Sequence, residues 1–395
     1  MRERRRICVV VASRANYARI KTALEAIRDH PALELQTVAG ASLVLERFGN
    51  AVDVMSADGF SPDATIRFII EGETPATMAK STGLGLLELP TVFELLQPDI
   101  VVTVADRFET IATAIAAAYM NVPVAHTQGG ELSGSIDESV RHAVTKLAHL
   151  HFPATELAAL RVIAMGEDPA SVFQVGCPSI DLVARTDLGL RSDVLARFGG
   201  AGAPIDPDQP FILMMQHPVT TEYGHGIDQI NQTLEAVASV GMQALVFWPN
   251  VDAGSEHVAK GIRVFRELGR DHGFHFFRNL PPEVFIKLMA HCACIVGNSS
   301  AAIREGAFLG TPAVTIGTRQ LNRERGPNVV EVFHDTETIA DAIRDQVAHG
   351  QFPSSMLFGD GGAGGRIADV LATAEPVIQK RLQLDVALQP SPVRP

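Results

Sequence analysis

The sequence predicts an α/β fold with two parallel, doubly wound sheets, one in each half of the chain. Short apolar segments without alternation, such as residues 7–12 and 99–105, are typical of parallel strands that are buried on both faces. A polar turn and a helical pattern follow each segment, and strands that alternate with helices are typical of doubly wound sheets. The same order recurs after residue 210, so we expect two similar domains that face each other.

The N-terminal domain is predicted over residues 1–183. Its predicted elements are, in order, a strand at 7–12, a helix to about 28, a strand at 99–105, a helix at 110–120 and a strand at 122–126. Polar residues occur where these strands end, and ligands of open α/β sheets bind beyond those ends. We therefore expect the functional site in the cleft between the two domains.

The C-terminal domain is predicted over residues 184–365. Its predicted elements are strands at 210–215, 243–248 and 293–296, a helix at 301–309 and a strand that ends at 314. The Gly- and Pro-containing stretch at 184–210 predicts a linker. A last helical pattern at 366–385 is expected to complete the N-terminal domain, and the end after Leu388 is expected to fray.

The composition excludes several classes of protein. Of 395 residues, 46% are hydrophobic and 20% are charged, whereas a disordered chain has low hydrophobicity and high net charge. A net charge of −12 provides no basic surface for nucleic acid or an anionic membrane. No apolar segment reaches the roughly 18 residues of a transmembrane helix, and four cysteines in so long a chain do not indicate a disulfide framework. We expect a cytoplasmic protein with no nucleic-acid or membrane partner.

A glycine-led turn at residues 297–300 (GNSS) follows a predicted strand. Free N–H groups at the start of a helix suit a phosphate, although Ser299 or Ser300 could instead only cap the helix. Glu305, on the helix that follows, could reach a ribose hydroxyl or face solvent. Arg319, in a second glycine-led turn, is a candidate partner for a pyrophosphate.

Two carboxylates follow neighbouring predicted strands. Asp106 comes directly after the strand at 99–105, where it could instead cap a helix, and Glu131 lies in a loop after two glycines. Carboxylates in loops at strand ends are functional candidates. Two carboxyls in different environments can divide the roles of acid and base between them.

The helical pattern that begins near Ser135 carries further candidates. Glu138 and His142 lie four residues apart on one face, and Asp137 lies on the adjoining face. Ser135 and Glu138 match a capping box, and Asp137 could serve the helix dipole. His142 fits either a structural histidine or an acid–base group.

Nine short motifs together resemble those of the hydrolysing UDP-N-acetylglucosamine 2-epimerases, in the sialic-acid and nonulosonic-acid pathway branch. The resemblance covers about residues 7–375. The motifs are 14–17 (RANY), 106–107 (DR), 129–131 (GGE), 136–142 (IDESVRH), 176–179 (GCPS), 217–220 (HPVT), 249–255 (PNVDAGS), 297–300 (GNSS) and 317–320 (GTRQ). Each is weak alone, and their common order makes the resemblance specific.

The resemblance implies a GT-B-like fold of two Rossmann-type domains, with the active site in the cleft between them. It implies loss of UDP by elimination across C1–C2, then hydration of the 2-acetamidoglucal to the free 2-epimer of the N-acetylmannosamine type. By motif, acid–base work at the sugar is assigned to Asp106, Glu131, Asp137 and His142. Nucleotide and phosphate binding is assigned to His217, Asn250, Asp252, Ser299, Ser300, Glu305 and Arg319, with Arg14 reaching the diphosphate from the other domain. Neither a metal ion nor a redox cofactor is implied.

The sequence departs from the family pattern mainly on the sugar-facing side. Ala12 and Ala105 replace usual glycines, Asn16 replaces an acid, and Ser42 and Asn279 stand where relatives carry histidine. We expect Ser42 to enlarge one edge of the sugar pocket. The substrate could therefore be a 2,4-diacetamido sugar nucleotide of the legionaminic-acid type.

Two other functions remain open at this stage. A GT-B glycosyltransferase would use the same phosphate turn but would not need the acid–base set, and a non-catalytic nucleotide-sugar sensor would bind without turnover. The expected partner is a UDP-sugar, and the expected assembly is a homodimer or a higher homo-oligomer.

Overall fold

A computed structural model describes residues 4–191 and 195–383 of the chain. Within these residues the strands form two sheets, each flanked by helices. The strands are β1 (Arg5–Val11), β2 (Leu33–Ala39), β3 (Ala64–Thr65), β4 (Ile100–Val104), β5 (Val124–Thr127), β6 (Leu150–Phe152), β7 (Ala201–Gly202), β8 (Phe211–Met215), β9 (Gln243–Phe247), β10 (Phe274–Phe277), β11 (Cys294–Gly297), β12 (Ala313–Ile316) and β13 (Val329–Val332).

The α-helices of the described residues connect these strands. They are α1 (Arg14–Asp29), α2 (Ala51–Ala57), α3 (Pro75–Leu96), α4 (Thr110–Tyr119), α5 (Ile136–Leu147), α6 (Glu156–Ala164), α7 (Pro178–Arg185), α8 (Gly226–Val240), α9 (Ser255–Glu267), α10 (Pro282–His291), α11 (Glu305–Leu309), α12 (Thr336–His349) and α13 (Ala363–Thr373). None of them is long and apolar enough to cross a membrane.

The N-terminal sheet is parallel throughout, with the strand order β3-β2-β1-β4-β5-β6. This is the order of a dinucleotide-binding α/β sheet. Its central strands are buried because helices cover both faces: Val9 and Val11 pack on one side, and Cys8 and Val10 on the other. The apolar runs predicted as strands at 7–12 and 99–105 are thus β1 and β4.

The C-terminal sheet has the order β13-β12-β11-β8-β9-β10-β7. All of its pairs are parallel except β10 with the short strand β7, which lies inside the predicted linker. Every residue of β8 and β11 is buried, so the continuous apolar pattern correctly predicted central strands. The four cysteines are buried and free.

Two predicted helices are shorter than expected. Residues 300–304 form turns, and α11 begins only at Glu305, because the backbone bonds of this stretch depart from the α-helical pattern: the Ala302 N–H donates to the Ser299 carbonyl, three residues back, and the Gly306 N–H to the Ala301 carbonyl, five residues back. The helix predicted over 366–385 ends at Thr373, since the residue before Pro376 is disfavoured in helical conformation. Residues 384–385 of that prediction, and the end after Leu388, lie outside the described residues.

The last helix returns to the N-terminal sheet. Ile367 and Leu371 of α13 pack in the same apolar cluster as Ile20, Leu24 and Ile27 of α1. The chain therefore crosses between the two sheets twice, once after α7 and once before α13.

Candidate active site

A cleft of about 1300 Å³ separates the two sheets, and residues that follow the carboxyl ends of strands from both sheets line it. This volume includes open solvent at the mouth of the cleft. Most of the predicted site residues lie on its wall: Arg14, Asp106, Asp137, His217, Asn250, Ser299, Ser300, Glu305 and Arg319. Glu131, His142 and Asp252 do not.

The turn at 297–300 requires its glycine. Gly297 has a φ of +129°, and a Cβ there would lie 2.0 Å from the Met215 carbonyl oxygen. The Asn298 amide holds the neighbouring turn, accepting the His217 N–H (2.7 Å) and donating to the His217 carbonyl (2.8 Å). The turns after β8 and β11 are thereby locked together, with Ser299 and Ser300 on the cleft wall.

His217 presents a neutral imidazole to this wall. Its Nδ1 accepts the Asn250 backbone N–H at 3.3 Å, so the ring proton lies on Nε2. Burial, together with the nearby guanidinium groups of Arg319 and Arg14, lowers the pKa of His217 well below its usual value. The ring is therefore a hydrogen-bond donor at neutral pH.

Glu131 lies behind the cleft wall in an ion-pair network. Gly130 has a φ of +78°, and a Cβ there would lie 2.0 Å from the Ala158 carbonyl oxygen, so only glycine allows this loop to turn inward. The carboxylate of Glu131 pairs with Arg304 and with Arg323 (3.2 Å), both from the other domain. Burial raises the pKa of Glu131, but these guanidinium groups outweigh it and hold the pKa below its usual value.

Asp106 is also ionised. Its carboxylate pairs with Arg141 and lies 3.8 Å from Arg19 and 3.5 Å from Arg323. Burial opposes the charge, but the three guanidinium groups hold the pKa of Asp106 well below its usual value.

Asp137, at the start of α5, has the opposite electrostatic environment. Burial and the negative charge of Asp106 raise its pKa to about 6, although Arg319 lies 3.6 Å away. Its side chain is 15% exposed, to the cleft. The two cleft carboxyls are therefore not equivalent: the pKa of Asp106 lies well below its usual value, whereas that of Asp137 is raised to about 6, so Asp137 is the one suited to exchange a proton near neutral pH.

The side chains of His142 and Asp252 contact neighbouring residues and do not line the cleft. His142 Nε2 lies 3.1 Å from Glu138 of the same helix, so the structure does not bring it to the other candidates. The Glu138 carboxylate accepts the Ser133 N–H rather than that of Ser135, so the predicted capping box does not form. Asp252 pairs with Arg107 (3.0 Å) and lies 3.9 Å from Arg319.

Arg14, on α1, reaches across the cleft. Its guanidinium donates to the carbonyls of Trp248 (3.3 Å) and Arg278 in the C-terminal domain. Ser42, in contrast, donates to the Ala12 carbonyl at 3.3 Å and is absent from the cleft wall. The expectation that Ser42 enlarges the sugar pocket is therefore not supported by its position.

The sequence analysis missed a group of buried arginines around the two ionised carboxylates. Its members are Arg19, Arg141, Arg304 and Arg323. These four guanidinium groups compensate the buried charges of Asp106 and Glu131. Two of them carried a signal: Arg141 lies four residues after Asp137 on the same helix, and Arg304 directly precedes Glu305 after the glycine-led turn.

The chain was compared with known proteins. The sequence model of the UDP-N-acetylglucosamine 2-epimerase family matches residues 25–372. A UDP-N,N'-diacetylbacillosamine 2-epimerase (hydrolyzing) of Legionella pneumophila is 33% identical over 370 residues, which are 93% of this chain and 96% of the relative. A UDP-N-acetylglucosamine 2-epimerase of Neisseria meningitidis is 30% identical over 357 residues, 90% of this chain and 91% of the relative.

Solved structures share the fold. The UDP-GlcNAc 2-epimerase of Methanocaldococcus jannaschii, in complex with UDP-GlcNAc and UDP, superposes with a TM-score of 0.76 at 16% identity, over 93% of this chain and 100% of that one. The fold is GT-B-like, with two parallel-sheet domains, as the motifs implied. With a family match over most of its length and two relatives at 30% identity or more, the chain belongs to the UDP-N-acetylglucosamine 2-epimerase family.

Proposed function

We propose that this protein is a hydrolysing 2-epimerase that converts a UDP-2-acetamido sugar of the N-acetylglucosamine type to UDP and the free 2-epimer. The observation that carries the proposal is the pair of neighbouring carboxyls in the cleft, with the pKa of Asp106 well below its usual value and that of Asp137 raised to about 6. A glycosyltransferase or a binding protein has no need of such a pair.

The first stage is an elimination. Ionised Asp137 removes the C2 proton, the C2–H electrons form the C1–C2 double bond, and the C1–O bond breaks with its electron pair leaving on UDP. His217 Nε2–H, Arg319 and the hydroxyls of Ser299 and Ser300 stabilise the charge that develops on the diphosphate. The sugar product of this stage is a 2-acetamidoglucal.

The second stage is a hydration. Water adds across the double bond, with its hydroxyl at C1 and a solvent-derived proton at C2, on the face opposite the one that Asp137 deprotonated, and Asp137 releases the proton it accepted to solvent. C2 is thereby inverted. In this account Asp106 and Glu131 remain ionised and orient the arginines, and we give His142 no proton transfer.

Nucleotide binding is proposed for the C-terminal side of the cleft. Glu305 lines the cleft, and its Oε2 is buried without a hydrogen-bond partner among the described residues, as expected for a group that accepts from ribose hydroxyls. The apolar wall formed by Phe247, Leu280 and Phe285 suits the base. Asp252, which lies behind the cleft wall, pairs with Arg107 and lies 3.9 Å from Arg319, and its proposed role is to hold these two wall residues in place.

Product analysis tests the proposal. The protein is incubated with UDP-, GDP- and CMP-linked 2-acetamido sugars without an acceptor, and products are followed by mass spectrometry. We expect UDP and a free 2-epimer to accumulate with time. Free sugar without an acceptor excludes a glycosyltransferase, and sustained UDP release excludes a sensor; absence of both products would contradict the proposal.

A second candidate substrate is a UDP-2,4-diacetamido sugar. The Legionella pneumophila relative, at 33% identity, carries that specificity in its name. The ratio of kcat/KM for the diacetamido sugar and for UDP-N-acetylglucosamine distinguishes the two.

Closure of the cleft is expected to depend on Gly134. Its N–H donates to the Arg319 carbonyl at 3.0 Å, and a Cβ there would lie 1.9 Å from the Thr318 carbonyl oxygen of the other domain. Gly134→Ala should keep the domains apart and lower kcat/KM by about 10- to 100-fold, because small misplacements of catalytic groups are costly.

Small-angle scattering measures the closure directly. Wild type should show a smaller radius of gyration with UDP than without it, and Gly134→Ala should not. Gly83→Ala is the matched control, since a Cβ at Gly83 meets nothing within 4 Å. An unchanged wild-type radius, or full activity of Gly134→Ala, would contradict this account.

A further inference from the structure

The residue directly before Asp106 has an unfavourable backbone conformation. Ala105 has a φ of +60° and is completely buried. A Cβ disfavours this left-handed region, so such a residue persists only where its surroundings hold it. Ala105 also lies just beyond the paired part of β4, whose last pairs with β5 are Thr103 with His126 and Val104 with Thr127. The backbone ladder therefore does not hold it.

Two side chains of β5 bind both polar groups of the Ala105 backbone. His126 Nε2 donates to the Ala105 carbonyl at 3.0 Å, and the Ala105 N–H donates to Thr127 Oγ1 at 3.3 Å. Both side chains are buried, with exposed fractions of 0% and 1%. A carbonyl only accepts, so the His126 ring proton lies on Nε2; burial lowers the pKa of His126 to about 3, which keeps the ring neutral.

We propose that His126 and Thr127 are positioning residues that hold Ala105 in its left-handed conformation and thereby aim the Asp106 carboxylate at its arginine partners. A change of conformation at Ala105 rotates the chain at the next residue. Asp106 would then lose its contacts with Arg141, Arg19 and Arg323. The role in catalysis rests on the proposed function, whereas the hydrogen-bond geometry does not.

The alternative is that His126 and Thr127 only fill the core. The two roles differ in their dependence on Ala105. A glycine at 105 adopts the left-handed conformation without a steric penalty, so it should reduce the need for the two hydrogen bonds. It would not repair a packing defect at residue 127.

Thr127→Val, which removes the hydroxyl and keeps the shape, should lower kcat about 10-fold with little change in KM, because a misdirected catalytic group affects the reacting state more than binding. Thr127→Ser keeps the hydroxyl and should stay within about threefold of wild type. Ala105→Gly, added to Thr127→Val, should restore kcat to within about threefold. His126→Leu removes the N–H donor and His126→Gln retains one, so kcat should fall more in His126→Leu than in His126→Gln.

Urea unfolding reads the same coupling without substrate. The factor by which Thr127→Val changes the unfolding equilibrium constant should differ by at least about fivefold between the wild-type background and the Ala105→Gly background. Additive effects in both kcat and unfolding would overturn the proposal. If wild type releases no UDP, the proposed function fails, and the unfolding cycle alone then decides whether His126 and Thr127 hold Ala105.

Discussion

Asp137→Asn should lower kcat by about 10²- to 10⁴-fold, the range for loss of a general acid–base group, while the protein stays folded. The structure places this carboxyl on the cleft wall, and burial together with Asp106 raises its pKa to about 6. Asparagine has the same shape but cannot remove the C2 proton. Steady-state release of UDP measures the loss.

The pH dependence of the same variant gives a sharper test. A base is active when it is ionised, so the kcat/KM of wild type should rise as the pH increases through about 6, the pKa of Asp137. The residual activity of Asp137→Asn should lack this rise. Glu337→Gln, in the first turn of α12, controls for loss of a helix-dipole contact. A flat wild-type profile between about pH 5 and 7.5 would contradict the role of Asp137.

Arg304→Met should destabilise the protein by about 3 kcal/mol, because removal of one partner leaves a buried charge without compensation. Arg304 is 1% exposed and pairs with Glu131 across the two domains. Glu131 retains Arg323 at 3.2 Å, so we expect the lower end of the usual range. Urea unfolding at pH 7 measures the change.

Two matched variants separate the loss of stability caused by an unpaired charge from the loss caused by a smaller side chain. Arg304→Met combined with Glu131→Leu should be more stable than Arg304→Met alone, since it buries no unpaired carboxylate. Arg270→Met removes the exposed pair with Glu235 and should cost less than about 1 kcal/mol. Equal losses for Arg304→Met and Arg270→Met would show that the interdomain pair carries no special energy.

The sheet architecture and the glycine-led turn on the cleft wall could be predicted because their signals are local. Buried parallel strands produce unbroken apolar runs, and the turn at 297–300 contains the glycine that its close approach to Met215 requires. Asp106 and Asp137 were found because strand ends and helix starts meet in the cleft.

The remainder depends on packing that a sequence does not encode locally. Glu131 and Asp106 are both carboxylates that follow neighbouring strands. Only the folded structure shows that Glu131 turns toward Arg304, behind the cleft wall. His142 lies about one turn after Glu138 on α5, and in the folded structure its ring contacts the Glu138 carboxylate. The buried arginines come from both domains, so no single segment predicts their cluster.

The most direct test of the account is turnover in deuterated water, followed by mass spectrometry and NMR of the free sugar. Elimination removes the C2 proton, and hydration returns one from solvent, so the 2-epimer should carry one deuteron at C2. UDP should be released in equal amount. A free sugar without deuterium at C2 would mean direct hydrolysis at C1, and the elimination and the role of Asp137 would both be wrong.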